Sequence, residues 1–165
     1  MDPVTIVEAD LALPETGAAI RRLIDMYAMD PMGGGHPLPE AVLNDLVPGL
    51  QKHPTTHVFL AYVAGEAVGI AVCFLGFSTF AAKPLLNIHD LAVEPEHRGR
   101  GVGKALLQAV ERAALALGCC KLTLEVLENN QWAMGTYRSF GFGQGAYKPE
   151  TGGMLFFVKP LERFG

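Results

Sequence analysis

An α/β mixture built on one sheet is predicted by three observations on this chain of 165 residues. Runs that alternate at the strand period are interleaved with segments of helical spacing. Two strand-like runs flank the turn Ala64-Gly65-Glu66, the pattern of a β-hairpin. An apolar run carrying Leu86, Ile88, Leu91 and Val93 leads directly into glycines that open a helix.

Residues 4–9 alternate well enough for a first strand. Pro14 suits the first turn of a helix, and Ile20, Leu23, Ile24 and Tyr27 then fall at helical spacing. That helix ends near Asp30-Pro31, because a residue before proline avoids the helical region. Met32-Gly33-Gly34-Gly35-His36-Pro37 is a loop. A second helix starts at Pro39-Glu40, carries Val42, Leu43 and Leu46, and is disturbed at Pro48. Residues 57–63 and 67–75 form the hairpin, and 76–84 make a loop or ragged strand end. Leu86 to Val93 is a central strand stopped by Pro95.

Residues 102–117 form the strongest helix, with Val102, Ala105, Leu106, Ala109, Val110, Ala113 and Leu117 as its buried stripe. Gly118 terminates it. A strand over 121–127 puts Leu122, Leu124 and Val126 on one face, and a short helix over 130–140 ends at Gly141. Residues 143–148 and 154–159 read as a closing hairpin around Pro149-Glu150-Thr151-Gly152-Gly153. The expected sheet has about seven strands flanked by about four helices. With no repeats, low-complexity tracts or linkers, residues 1–165 are expected to be one domain.

Half the residues are apolar and 18% are charged, which excludes a disordered chain. No apolar run approaches the roughly 20 residues that span a bilayer, and the acidic opening MDPVTIVEAD lacks the basic start of a signal peptide. Cys73 lies in an apolar strand, and Cys119 and Cys120 are adjacent. Neighbouring cysteines seldom bridge each other, so reduced thiols in the cytoplasm are expected. No Cys/His spacing suggests zinc, and no metal is expected. A net charge of −4 argues against nucleic acid and accords with a cationic partner.

The stretch LLNIHDLAVEPEHRGRGVGK, residues 85–104, organises the chain. Alternate glycines at 99, 101 and 103 let the backbone fold tightly and approach a ligand. The first-turn amides of the following helix are unpaired and lie at its positive dipole end, so they suit a phosphate. Two familiar phosphate loops fail by position. A P-loop with Lys104 would need Gly at 98 and Ser or Thr at 105, where the chain has Arg98 and Ala105. Dinucleotide fingerprints starting at Gly99 or Gly101 are broken by Lys104 and Leu106.

Arg98-x-x-Gly101-x-Gly103 directly after Leu91-Ala92-Val93 resembles the acetyl-CoA signature of the GNAT family of N-acetyltransferases. A second block, Leu124-Glu125-Val126 followed by Asn130, Ala133, Tyr137 and Gly141-Phe142, resembles the other half of that family's pattern, in the expected order. The resemblance is firm over about residues 60–142 and implies a mixed sheet with splayed central parallel strands. It implies acetyl-CoA as co-substrate, held by Arg98, Gly99, Arg100, Gly101, Val102, Gly103 and Lys104 around the pyrophosphate. It also implies that the strand backbone at Leu91, Ala92 and Val93 holds the thioester and pantetheine, with Asn130, Ala133 and Tyr137 reaching the cofactor. The Val93 amide is the expected oxyanion donor, and Tyr137 matches the residue that protonates the CoA sulfur.

Two residues compete for the role of base. Glu125 matches the proposed base of ribosomal-protein alanine acetyltransferases. His89, in Asn87-Ile88-His89-Asp90, stands where diamine and polyamine acetyltransferases carry the glutamate of a Glu-Asp pair, and histidine can take a proton near neutral pH. A water relay from either would serve. Asp90, Tyr27 and Asp30 are the candidate acceptor-binding residues. The expected function is acetyl transfer from acetyl-CoA to a primary amine of a small diamine-like or amino-acid-like molecule, by direct attack, since no cysteine falls on a family nucleophile position. Acceptors at a protein terminus or lysine, or a non-catalytic acyl-CoA-binding module, are the alternatives. The resemblance implies a homodimer; no membrane partner is expected.

Overall fold

The computed structural model describes residues 2–145 and 148–161. One sheet has the strand order β1-β2-β3-β4-β5. Its strands are β1 (Thr5–Glu8), β2 (Thr56–Val63), β3 (Glu66–Ser78), β4 (Lys83–Val93) and β5 (Leu122–Leu124). The first three pairings are antiparallel and β4–β5 is parallel. The helices are α1 (Pro14–Met29), α2 (Glu40–Lys52), α3 (Val102–Ala116) and α4 (Gln131–Ser139).

Alternation along the strands divides the core into two layers. Phe59 and Ala61 of β2, Val68 and Ala71 of β3, and Leu86, Ile88 and Val93 of β4 pack with Val102, Leu106, Leu107 and Val110 of α3. On the other face, Val58 and Leu60, Ile70 and Val72, and Ala92 pack against Ile20 and Leu23 of α1 and Leu50 of α2. A Cβ at Gly69 would lie 3.1 Å from Val102 Cγ1 and 3.2 Å from Leu106 Cδ1. Glycine there lets the first turns of α3 lie directly on β3.

The central strand is not regular. Val72 pairs with Asp90 and Cys73 with Ile88, so His89 is the extra residue of a β-bulge. Below the bulge Leu86 and Ile88 face α3; above it Val93 does too, and Asp90 joins Ala92 on the α1 face. The parallel ladder with β5 also stops here, at Ile88↔Leu124. Asn87 Nδ2 donates to Thr123 Oγ1 at 3.0 Å and fixes the last paired turns of this contact.

Five expectations are corrected. Five strands form among the described residues, not about seven. β5 is limited to Leu122–Leu124, leaving Val126 39% exposed. Residues 76–84 are mostly strand, because the β3–β4 ladder runs on to Ser78↔Lys83. α2 continues through Pro48; Pro48 and Asn44, whose carbonyl loses its donor, are both exposed, so solvent can replace the missing bond. Part of the expected closing hairpin, residues 146–147, lies outside the described residues. The rest shows one bridge, Lys148↔Gly152, and residues 153–160 carry no regular structure. Apolar composition supplies strand propensity, but a strand exists only where a partner accepts its hydrogen bonds.

Leu106 is fully buried between α3 and the sheet. Leu106→Ala is expected to lower unfolding stability by about 3 kcal/mol, read as a lower urea midpoint with an unchanged m-value. A loss under about 1 kcal/mol would place Leu106 outside the core.

Candidate functional site

Beyond β4 the chain makes one 3-10 turn at Pro95–His97 and enters the glycine segment. Gly99 and Gly101 have φ of 73° and 85°, in the left-handed region that only glycine adopts cheaply. Gly101 is the N-cap of α3 and has no side chain to satisfy the first amides. The first amide after Arg98 to find a backbone acceptor is that of Ala105, which donates to Gly101 O at 2.9 Å. The amides of residues 99–104 therefore face outward at the positive end of α3, a geometry that holds phosphate oxygens. Arg100 and Lys104 are exposed beside them.

Arg98 turns back into the protein. Its Nε donates to Val93 O at 2.9 Å, and its Nη2 donates to Asp30 Oδ2 at 2.8 Å. Asp30 Oδ1 accepts the Met32 amide at 2.9 Å, and Asp30 O accepts the amides of Gly33, Gly34 and Gly35. Asp30 thus organises the loop after α1. Hydrogen bonds from the Met32 amide and Arg98 hold its carboxyl below the usual carboxylate range. A second arginine, Arg22, ties α1 to the same strand end by donating to Glu94 and to the Ala67 carbonyl.

The splay between β4 and β5 frees two strand amides. Glu94 N donates to Val68 O at 2.9 Å, on the β3 side. Successive strand amides point to opposite edges, so those of Val93 and Leu91 point toward β5, whose pairing ended at Ile88. By the same alternation the Ala92 amide belongs to the β3 ladder, and only its neighbours offer donors to the gap.

Tyr27 of α1 feels the charge of Asp90 on β4, and Tyr137 of α4 in turn feels Tyr27. Asp90 of β4 has no hydrogen bond or ion pair among the described residues. Burial pushes its carboxyl above the usual range, opposed by the neighbouring His89. Tyr27 of α1 is raised by burial, then by the Asp90 and Asp30 carboxylates. Tyr137 of α4 is pushed up to about 12, first by burial and then by Tyr27. Its ring meets Phe142 edge to face at 5.9 Å. The phenol keeps its proton at any physiological pH, which is the state of a proton donor. Asn130 Oδ1 caps α4 by accepting the Ala133 amide at 3.2 Å, and Ala133 is half-buried beneath it.

The two candidate bases are both exposed. His89 is exposed on the bulge and packs edge-on against Phe74, centroids 5.4 Å apart. Glu125 is exposed just past β5. Cys73 is buried in the α3-side core, and its thiol is pushed up to about 12 by burial and then by Asp90 and Glu8; it stays un-ionised. Among the described residues no cluster of His, Cys, Asp and Glu could hold a metal ion, and no helix is long and apolar enough to cross a membrane. Sequence reasoning missed the Arg98–Asp30 tie, the Arg22 clamp and the bulge. Only the bulge left a sequence signal, the change of apolar spacing from 86, 88 to 91, 93.

A strand that parts from its parallel neighbour beside a glycine-opened helix defines the class of this mixed-sheet protein. Residues 20–142 match the Acetyltransferase (GNAT) family, and the chain belongs to that family. Thialysine N-epsilon-acetyltransferase of Bos taurus is 35% identical over 101 residues, 56% of this chain and 59% of the relative. The protein of the same name from Sus scrofa is 30% identical over 101 residues, with the same coverage. The chain therefore spans about three fifths of the length of these relatives. An aminoglycoside acetyltransferase from an uncultured soil metagenomic sample, in complex with sisomicin, superposes with a TM-score of 0.75 at 20% identity, covering 96% of this chain and 97% of that one. Ribosomal-protein-alanine N-acetyltransferase from Brucella melitensis superposes at 0.67 and 17% identity, covering 98% and 100%. At these identities the structural likeness is one of fold.

Opposite pKa directions give opposite pH dependences. Asp90 ionises later in the folded chain than in the unfolded one, so its charge costs stability once pH exceeds the ordinary 3.8. Asp90→Asn should match the wild-type melting temperature at pH 3.5 and exceed it at pH 7; a lower value at pH 7 would show that Asp90 is paired. Asp30, held low, stabilises above 3.8 and loses that contribution as pH falls. Asp30→Asn should cost about 1 kcal/mol at pH 7, and the deficit should shrink below pH 3.8.

Proposed function

We propose that this chain is one N-acetyltransferase domain that moves an acetyl group from acetyl-CoA to the primary amine of a small molecule, diamine-like or amino-acid-like, within a ternary complex. The observation that carries this reading is the gap beside β4, where the strand amides of Leu91 and Val93 are free and the same strand carries the unpartnered carboxylate of Asp90; Tyr137 of α4, which keeps its proton, supplies the matching donor. Family membership and the thialysine acetyltransferase relatives support it. When bound, acetyl-CoA supplies an activated acetyl thioester.

The residues divide the work. The amides of residues 99–104, with Arg100 and Lys104, fit the negative pyrophosphate. Leu91 and Val93 offer N–H donors to the pantetheine and to the carbonyl oxygen, where Val93 stabilises charge as the amine nitrogen bonds to the acetyl carbon. Tyr137 passes its phenolic proton to sulfur as the carbon–sulfur bond breaks and is reprotonated, through water, by the proton the acylated nitrogen sheds on becoming an amide. Asp90 attracts the incoming ammonium, with Tyr27 at its side. An alkyl ammonium must lose a proton before its nitrogen can attack, since its ordinary pKa is about 10.4. That proton passes to His89 or Glu125, directly or through water. Asn130 and Ala133 shape the cofactor side of α4. The un-ionised Cys73 accords with direct attack.

Net charge of −4 favours a small cation over nucleic acid or an anionic membrane as partner. The free thiols of Cys73, Cys119 and Cys120 accord with the cytoplasm. A homodimer accords with the apolar run 154–158, each residue of which is at least 71% exposed.

CoA thiol release against polyamines, lysine analogues, amino acids, aminoglycosides and a peptide amino terminus tests the reading. A hit among the small amines is expected. Tyr137→Phe should then lower kcat about 100-fold and leave acetyl-CoA affinity within about twofold. Because Tyr137 keeps its proton up to about 12, the rate should rise with pH and show no falling limb below pH 10. Acetyl-CoA binding without turnover on any amine would instead identify a binding module.

A further inference from the structure

One peptide unit at the end of β4 is held on both sides. Glu94 N donates to Val68 O at 2.9 Å on the β3 side, and Val93 O accepts from Arg98 Nε at 2.9 Å on the other. The amide and carbonyl of one strand residue share an edge, so the Val93 carbonyl opens on the same gap as the Val93 amide. Arg98 therefore occupies the acceptor beside that donor. Its Nη2 reaches Asp30 Oδ2 at 2.8 Å, while Asp30 Oδ1 accepts the Met32 amide at 2.9 Å. Both carboxylate oxygens are engaged within the protein. The loop that follows is built on the same residue, since Asp30 O accepts the amides of Gly33, Gly34 and Gly35. A Cβ at Gly33 would lie 1.9 Å from Tyr27 O, so a side chain there would collide with the last turn of α1. Asp25 Oδ1 closes the loop by accepting the Leu38 amide at 2.8 Å. Among the described residues, Arg98 is the one side chain from elsewhere in the chain that hydrogen-bonds to residues 30–35.

We propose that Asp30 and Arg98 act as a positioning pair: Arg98 fixes the Val93 peptide at the reaction gap, and Asp30 fixes Arg98 while carrying the Met32–Gly35 loop. The inference goes beyond the function proposed above and rests on its reading of Val93 as the donor to the carbonyl oxygen. Two physical effects follow. A free Val93 carbonyl would turn a partial negative charge toward an oxygen that is gaining charge, and a bound guanidinium offsets that repulsion. Swinging of this peptide would also disturb the adjoining Val93 amide, and the bonds on its two sides oppose such motion. The arrangement turns Arg98 away from the pyrophosphate, which is left to the amides of residues 99–104 with Arg100 and Lys104. Lysine could not replace Arg98, because a single ammonium lacks the planar fork that meets a carbonyl and a carboxylate together.

Turnover and calorimetric acetyl-CoA binding at pH 7 test this in Asp30→Asn, Arg98→Gln, Arg98→Lys and the double variant Asp30→Asn/Arg98→Gln, with Arg22→Gln for comparison. Arg22 ties α1 to the same strand end through Glu94 and the Ala67 carbonyl, with no bond to Val93. Arg98→Gln and Arg98→Lys should each lower kcat about 10-fold or more and keep the acetyl-CoA Kd within about twofold. Asp30→Asn should follow in the same direction, and the double variant should be no slower than Arg98→Gln, as expected of residues that act as a unit. Arg22→Gln should lower Tm at least as much as Arg98→Gln and keep kcat within about twofold. A raised acetyl-CoA Kd with kcat kept in Arg98→Gln overturns the proposal and returns Arg98 to the pyrophosphate. An equal loss of kcat in Arg22→Gln overturns it as well, because a general loosening of α1 would then suffice. Full activity in Arg98→Lys does the same, since charge would then matter and geometry would not. If wild type acetylates no amine, the acetyl-transfer reading fails on its own, and amide hydrogen exchange tests the pair. About fivefold faster exchange at Met32–Gly35 in Arg98→Gln than in Arg22→Gln upholds the tie, and equal exchange in the two sinks it.

Discussion

One extra residue in the central strand governs this structure. A strand that alternated without interruption from Leu86 to Val93 could not place Leu86, Ile88 and Val93 on one face, because the first two and the last have opposite parity. Inserting His89 as a bulge solves this and keeps all three in the α3-side core. The same insertion turns Asp90 toward α1 and coincides with the end of the β5 ladder. Packing on one face of the sheet and the chemistry offered on the other are thus consequences of a single register shift. Bulges bend a strand and raise its twist, which accords with the divergence of β5 beyond Leu124.

Two carboxylates near α1 show how environment divides similar groups. Asp30 accepts a backbone amide and an arginine, and its proton affinity falls. Asp90 has neither, loses water to burial, and its proton affinity rises. The first joins α1 to the strand end and orders a glycine loop, so its charge is already satisfied. The second retains an unmet need for a cation. Arg22 and Arg98 hold α1 against the end of β4 from two sides, keeping Tyr27 beside the cleft while the two carboxylates do different work.

Much of this was legible in the residues. Apolar periodicity marked α1, α3 and the β2–β3 hairpin within a few residues, because these elements are stabilised by burying one regular face. The glycines before α3 announced a helix start with free amides, and Asn130 announced the α4 cap, since both are local effects of backbone geometry. The end of the chain was read less well. Residues 154–158 have strand composition, yet pairing depends on a partner edge that local sequence does not specify.

The α/β order, the phosphate-suited loop and the family were all readable from the residues, because each depends on short-range spacing of a few residue types. The folded chain alone settles that Arg98 binds Asp30, that Tyr27 feels the charge of Asp90, and that Phe74 packs against the bulge residue His89. Those contacts join residues far apart in the chain. Their existence depends on how helices and strands close around the sheet, a long-range outcome that no local pattern encodes.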